Sequence, residues 1–199
     1  MHLRAPAILL AARAHGETAV VARMLTESHG VVAGYVAGGR GRQLRPVVIP
    51  GNLVELQLSA RSDSQLPFAK LELLESRGPW LSEPLAAAGI GWACALTATA
   101  LPERQPYPTL HQALGGLLDA VCHAPSARGW VAALVSFETL LLRELGYGGI
   151  PPIQAGFADS LAAMDRLAGP LDHYLLADRR GDVMAARARL RELLGKMVT

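Results

Sequence analysis

The stretch HGVVAGYVAGGRGRQLRPVVIPG, residues 29–51, decides how the first part of the chain folds. It opens with the alternation typical of a strand, passes through a segment rich in glycine and arginine, and returns to an apolar run at residues 47–49. The glycines are Gly38, Gly39 and Gly41, and the arginines are Arg40, Arg42 and Arg45. The pattern predicts a cationic loop between two strands.

Two chemical properties of this loop point to a polyanionic ligand. Glycine allows the backbone to approach a partner closely, because it has no side chain to collide with it. Three arginines within six residues suit phosphate, since a guanidinium group binds phosphate oxygens through two parallel hydrogen bonds. Nucleic acid is therefore the main candidate. The alternative interpretation is a solvated surface loop without a ligand.

Short apolar or alternating segments surround the loop in the first eighty residues. They predict strands at residues 5–14, 20–25, 31–37, 54–59 and 69–73. The clearest is 54–59, where Val54, Leu56 and Leu58 alternate with polar residues. Short strands joined by turns favour a small closed barrel over a sandwich, and closure leaves no sheet edge exposed.

The hydrophobic period changes to about 3.6 residues after Gly78 and Pro79, which predicts helices. We expect an α+β chain with a barrel domain over residues 1–78 and an all-α domain over residues 79–199. The predicted helices cover residues 80–101, with a break near Gly89 and Gly91, then a helix capped by Thr109, a helix after Pro125 and Ser126, and later helical stretches.

Two of these helices carry apolar stripes. The helix after Ser126 repeats Trp130, Leu134, Phe137, Leu141 and Leu145 on one face, a spacing typical of a core-facing stripe. The last helix begins with Asp182 as its predicted N-cap. Its basic residues are expected mostly on the outer surface; they are Arg187, Arg189, Arg191 and Lys196.

Charge is modest in total but uneven along the chain. The net charge is +2, so the chain as a whole is not a polycation. Residues 1–77 hold nine Arg or Lys against six Asp or Glu, whereas residues 78–199 hold ten against eleven. The basic character is concentrated in the predicted barrel, as expected for an electrostatic footprint on one domain.

Cysteine content and hydropathy indicate the compartment. Cys94 and Cys122 are the two cysteines, which fits a reducing cytosol and disfavours a disulfide framework. The apolar N-terminus imitates a signal peptide but is shorter than the usual ~15–30 residues, so we interpret it as a strand. The uncharged segment 84–102 consists of small residues between prolines, and we expect a buried helix there, not a membrane span. The expected location is the cytoplasm.

Common catalytic motifs are missing from the sequence. It contains no G-x-S-x-G serine and no G-x-x-x-x-G-K-[ST] loop, and its six histidines are scattered singly. Cys122 and His123 are adjacent, but neighbouring residues on a helix point apart. We expect no catalytic residues, no metal site and no cofactor.

Several motifs, in this order, resemble the bacterial recombination mediator family RecO over residues 5–149. In the first half they are Gly16-Glu17-Thr18, Leu25-Thr26, His29-Gly30 and Ala37-Gly38-Gly39-Arg40. In the second half they are Leu101-Pro102-Glu103-Arg104, Phe137-Glu138, Leu141-Leu142 and Leu145-Gly146-Tyr147-Gly148. The resemblance implies an OB-fold barrel, a helical domain and a non-enzymatic role in recombinational repair.

The resemblance also implies partners. Proteins of this family bind single- and double-stranded DNA, anneal complementary strands, and work with RecR to load RecA onto DNA coated by single-strand-binding protein. They bind the acidic, apolar C-terminal tail of that protein in a groove of the helical domain. A monomer associated with the nucleoid is the expected state of the chain alone.

Site residues follow from the motifs. The resemblance places DNA contacts at Arg40, Arg42 and Arg45, joined by Arg13, Arg23 and Tyr35. It places the partner groove at Phe137 and Leu141, with Arg128 as a weak substitute for a basic clamp. Tyr35 is the only aromatic residue among the first sixty-seven, so the affinity is expected to come mainly from phosphates.

Two departures from the family pattern matter. Many relatives carry a four-cysteine zinc motif after the Leu-Gly-Tyr helix end, but this sequence has no cysteine beyond Cys122, so zinc is not expected. Val135 and Ser136 stand where relatives place a basic residue before the Phe-Glu pair. Two other hypotheses remain open: a protein-interaction adaptor that uses only the helical groove, and an enzyme with a dispersed site.

Overall fold

The computed structural model describes residues 2–60, 62, 65–148, 156–177 and 183–197. The chain forms two compact units, one made of Met1–Ser82 and Leu101–His111 and the other of Glu83–Ala100 and Gln112–Thr199. The sequence predicts a single boundary after residue 78. In the structure the chain leaves the first unit after Ser82 and returns to it at Leu101.

Five strands close into a barrel in the first unit, which confirms the predicted five-stranded OB-fold architecture. The strands are β1 (His2–His15), β2 (Ala19–Thr26), β3 (Gly30–Val36), β4 (Leu53–Ser59) and β5 (Phe68–Glu75). Their order around the barrel is β1-β2-β3-β5-β4. All pairs are antiparallel except β3 with β5, which pair in parallel through Tyr35 and Phe68.

Strand β1 is longer than predicted because it pairs with two partners. Its first half pairs with β4 from His2 to Ile8, and its second half pairs with β2 up to His15. The register shifts between Leu9 and Ala11, a bulge that bends the strand around the barrel. The predicted alternation in β4 is confirmed, since Val54, Leu56 and Leu58 face the barrel core.

The apolar run 47–49 after the arginines is not a strand. The chain stays in turns after β3 until Leu53, where β4 begins. Val47 is buried in the barrel core, and Leu44 and Val48 pack against that core. Buried Asn52 holds the end of this loop by donating to the carbonyls of Pro46 and Val47, both at 3.0 Å. The run is apolar because it packs against the core, not because it pairs with a strand.

The turn between β2 and β3 fits tightly against the returning segment 101–111. The backbone N–H of Arg104 donates to the carbonyl of Val31 at 2.8 Å, and Glu103 forms a parallel bridge with Val31. Gly30 has a φ of +67°, and a Cβ added there would overlap the carbonyl of Gln105. Glycine at position 30 is therefore required both by the backbone and by the space.

We expect Gly30→Ala to destabilise the first unit by about 2–4 kcal/mol, because a left-handed backbone strain adds to an overlap with backbone atoms. Gly16→Ala is the matched control: its φ is +62°, but an added Cβ meets nothing within 4 Å. It should cost only about 1–2 kcal/mol. Urea denaturation compares the two, and equal losses would contradict the tight packing of segment 101–111.

The second unit contains most of the helices. The α-helices among the described residues are α1 (Pro84–Ala100), α2 (Pro108–His123), α3 (Val131–Glu144), α4 (Phe157–Pro170) and α5 (Val183–Gly195). Short 3₁₀ turns cover Gly78–Ser82 and Ala127–Gly129, and a π-helical turn covers Leu171–Leu176. Within the described residues, no helix combines the length and the apolar character needed to cross a membrane.

Several predicted helix details change. Helix α1 runs without the expected break. At Gly89 the ring of Trp130 packs on the helix, 3.1 Å from where a Cβ would be. Its buried character is confirmed by Ile90, Trp92 and Leu96, none of which is exposed. Helix α2 begins at Pro108, so Thr109 lies in its first turn and is not its cap. The predicted N-cap Asp182 lies outside the described residues.

A charged cluster lies inside the helical unit. The Glu138 carboxylate is fully buried and accepts hydrogen bonds from the Trp92 indole at 2.8 Å and from Arg187 at 2.9 and 2.7 Å. Arg187 also donates to the carbonyl of Met164 at 2.7 Å. The prediction that Arg187 lies on the outer surface is therefore wrong, because this charge is needed inside to neutralise Glu138.

Candidate functional site

The three arginines of the loop after β3 surround one concavity. Arg40, Arg42 and Arg45 are exposed, and together with Pro46 and Ile49 they line a space of about 490 Å³. None of these five lining residues is acidic. Three guanidinium groups around one concavity form a site that can neutralise the oxygens of a polyanion. The structure thus brings together the three arginines that the sequence analysis singled out.

Arg40 has a second role, which is to hold the loop on the barrel. Its guanidinium donates to the carbonyls of Gly16 and Glu17 at 3.4 and 3.0 Å, and its backbone N–H donates to the carbonyl of Thr18 at 2.8 Å. A Cβ on Gly39 would lie 2.6 Å from a methyl group of Val20. The glycine at position 39 therefore lets the loop lie close to β2.

The register of the sheet places two further predicted residues on one outer face. Arg13 on β1 pairs with Val21 on β2, Val21 pairs with Tyr35 on β3, and Tyr35 pairs with Phe68 on β5. The inward-facing neighbours of this row, Val20 and Val36 among them, belong to the barrel core. Arg13 and Tyr35 therefore share the outer face of the barrel. In OB-folds the face of strands 2 and 3, flanked by the loops between strands 1–2 and 4–5, binds oligonucleotides.

An aromatic cluster forms on this face around Tyr35. The Tyr35 ring meets Phe68 edge-on with ring centroids 5.3 Å apart, and His15 edge-on at 5.7 Å. Phe68 is 62% exposed, although phenylalanine is usually buried. Sequence reasoning missed Phe68 and His15, because only strand pairing brings them next to Tyr35. The available signal was a phenylalanine directly in front of a predicted strand.

Arg23 stands apart from the other predicted DNA contacts. It pairs in register with Ala11 and Ala33, and it lies two residues along β2 from Val21, which pairs with Arg13 and Tyr35. Its guanidinium forms an ion pair with Glu103 at 2.9 Å, and that carboxylate offsets the positive charge. Arg23 is thus less suited to bind phosphate than the exposed arginines of the loop.

The predicted partner residues do not form an open groove in the described structure. Phe137 and Leu141 are 2% and 0% exposed and belong to the core of the helical unit. Exposed Arg128 donates to the carbonyl of Met197 at 2.8 Å, and its charge lies 4.7 Å from the centre of the Phe157 ring. The stripe on α3 has the core role that its spacing indicates, and the partner-binding role of these three residues stays a prediction.

Comparison with known proteins gives matches in both parts of the chain. The recombination protein O N-terminal family model matches residues 1–77, and the recombination protein O C-terminal family model matches residues 81–149. The DNA repair protein RecO of Phenylobacterium zucineum is 42% identical over 149 residues, which cover 74% of this chain and 60% of that protein.

Two other relatives give similar values. The DNA repair protein RecO of a Ruegeria species is 43% identical over 149 residues, covering 74% of this chain and 61% of that protein. The DNA repair protein RecO of Rhodospirillum centenum is 44% identical over 143 residues, covering 71% of this chain and 56% of that protein. The matched region thus covers less than two thirds of the length of these curated relatives.

Proposed function

The chain belongs to the RecO family of recombination proteins, and from this premise we propose that it is a DNA repair and recombination mediator. It binds single- and double-stranded DNA, promotes annealing of complementary strands and, with RecR, helps to load RecA onto DNA coated by single-strand-binding protein. The observation that carries the proposal is the concavity formed by Arg40, Arg42 and Arg45, beside the aromatic face of the barrel.

The proposed chemistry is binding and charge neutralisation. Arginines at the concavity bind phosphate oxygens and release the counterions condensed on DNA, which favours association without regard to sequence. Two complementary strands repel each other through their phosphates, and a cationic surface that binds both lowers this repulsion. Annealing by such a surface requires no covalent step.

A salt series tests this proposal directly. For single-stranded DNA, three or four arginine–phosphate contacts predict a slope of about −2 to −3 in a plot of the logarithm of affinity against the logarithm of salt concentration. We expect this slope for a fluorescent oligonucleotide titrated with the full chain. Affinity that does not change with salt would contradict phosphate binding by the loop.

The protein partners are proposals of the same kind. RecR and the tail of single-strand-binding protein are expected partners because the chain belongs to the family. Phe137 and Leu141 are buried, so the exposed Arg128 is the proposed contact for the carboxylates of the tail. Among the described residues, no specific observation favours the alternative of an adaptor that binds no nucleic acid.

A further inference from the structure

A second concavity adjoins the aromatic face at Phe68. It has a volume of about 850 Å³, within the range of pockets that hold a drug-sized ligand, and Phe68 is one of its walls. Its apolar lining includes Leu3, Leu58 and Leu71, which belong to the barrel core. Leu44 also lines it; this residue lies in the loop after β3 that carries the three arginines, here called the arginine loop, and packs against the core. We call this space the Phe68 groove. The exposed ring of Phe68 therefore belongs both to the aromatic cluster and to the groove.

The polar residues of the groove include two amides and two cations, together with His2 and Ser59. Arg4, Gln57 and Lys70 pair in register across β1, β4 and β5 and line it, and Gln43 lines it from the arginine loop. Arg4 is bound to Glu55 at 2.6 Å, and this hydrogen bond and the charge of Glu55 raise the pKa of Arg4. Lys70 is exposed, and none of the described lining residues is acidic. Amide groups can donate to and accept from the edges of unpaired bases.

Two acidic residues near the groove restrict the side from which a nucleic acid strand can enter it. Glu55 and Glu72 pair directly with each other across β4 and β5, two residues along from Gln57 and Lys70. Phosphates are repelled by this pair, so a nucleic acid strand is expected to enter from the side of Phe68 and Tyr35. The charge pattern therefore favours one path, from the arginine loop and the aromatic face into the groove.

We propose that the Phe68 groove binds unpaired bases of single-stranded DNA, with Phe68 as the stacking platform at its entrance. The proposal rests on the proposed DNA-binding function and names the element that distinguishes single strands from duplex. Unpaired bases can leave the backbone path and stack on an exposed ring, whereas the bases of a duplex are already stacked on each other. Lys70 contacts a phosphate beside the bound bases, and Gln43 and Gln57 contact base edges.

The test compares three fluorescent probes by anisotropy, using the full chain. The first is an oligo-dT of about 15 nucleotides, close to the upper site size of one OB-fold. The second is an abasic strand with the same number of phosphates, and the third is a duplex of equal length. Phe68→Ala should weaken oligo-dT binding about 5- to 100-fold, the range that loss of base stacking gives. Binding of the abasic strand and the duplex should change less than about twofold.

Two further variants make the result specific. Leu74→Ala removes another exposed apolar side chain from β5, at 51% exposure, and should leave all three affinities unchanged. Phe68→Trp restores a stacking surface and should recover most of the oligo-dT affinity. Equal loss on oligo-dT and the abasic strand, or no loss on oligo-dT, would overturn the proposal.

The outcome can be separated from failure of the proposed function. If substitution of the loop arginines weakens all three probes but Phe68→Ala weakens none selectively, the DNA-binding function stands and the groove proposal fails. If the loop arginines have no effect while Phe68→Ala weakens oligo-dT alone, the stacking site stands and phosphate binding by the loop fails.

Discussion

Replacing Arg40, Arg42 and Arg45 together by alanine is expected to reduce single-stranded DNA affinity roughly 100- to 500-fold at 50 mM salt, and by no more than about fivefold at 0.5 M. The reason is that each arginine–phosphate contact releases a counterion, and this release is worth most when salt is low. The slope of the salt plot should become less steep by about 2. Oligonucleotide anisotropy over a salt series measures both quantities.

The matched control removes the same charge from the helical unit. Arg143, Arg166 and Arg189 are also exposed, and their triple alanine variant has the same net charge as the loop variant. It should lose less than about threefold in affinity, since only the long-range field of the protein changes. An equal loss in the two variants would show that net charge alone, without the geometry of the loop, attracts DNA. If the loop variant loses no DNA affinity, the loop does not bind DNA, and the result favours the adaptor hypothesis.

Because Arg40 also holds the loop, its contribution needs a separate variant. Arg42→Ala with Arg45→Ala leaves the bonds from Arg40 to Gly16 and Glu17 intact, so the loop keeps its position. This double variant should still show more than half of the slope change seen with all three substitutions. A much smaller change would show that the triple variant acts mainly by displacing the loop.

Glu138→Ala is expected to destabilise the helical unit by about 3–5 kcal/mol, the usual cost of leaving one partner of a buried ion pair uncompensated. The loss has two parts. Arg187 keeps a buried charge, with 4% of its side chain exposed, and the buried Trp92 indole loses its acceptor. Since a domain is stable by only about 5–15 kcal/mol, this loss removes at least about a fifth of the stability of the helical unit. Urea denaturation followed by far-UV circular dichroism measures the loss.

The exposed pair between Arg191 and Asp165 is the control for burial. It has the same two-bond geometry at 2.8 Å, but the two side chains are 31% and 57% exposed. Asp165→Ala should cost less than about 1 kcal/mol, because water screens an exposed pair. Replacing both buried partners, as Glu138→Gln with Arg187→Met, should recover part of the loss of Glu138→Ala. Similar losses for the two single variants would contradict the role of burial.

These two regions differ in how much the sequence could reveal. The arginine loop was predictable because glycine and arginine alternate within a few residues, and such a segment is polar and exposed wherever it lies. Glu138 and Arg187 lie 49 residues apart, on α3 and α5, and neither position carries a local signal of burial. Charged residues are almost never fully buried unless paired, so a single position suggests the surface.

The aromatic face shows the same limit. Tyr35 was identified within β3, but Phe68 begins β5, and the two rings meet because those strands pair in parallel at that one point. The run at residues 47–49 shows a related limit. An apolar run predicts burial, and Val47 is buried, but the sequence pattern does not distinguish strand pairing from packing of a turn against the core.

By itself, the sequence determined the five strands, the change to helices, the family and the cationic loop, because periodicity, charge and motifs are local properties of the chain. The tertiary structure alone decided which cations remain exposed, since Glu103 pairs with Arg23 and Glu138 pairs with Arg187. It also decided that Phe68 stands beside Tyr35 at the edge of a groove. Such pairings depend on strand register and helix packing, which join residues far apart in sequence.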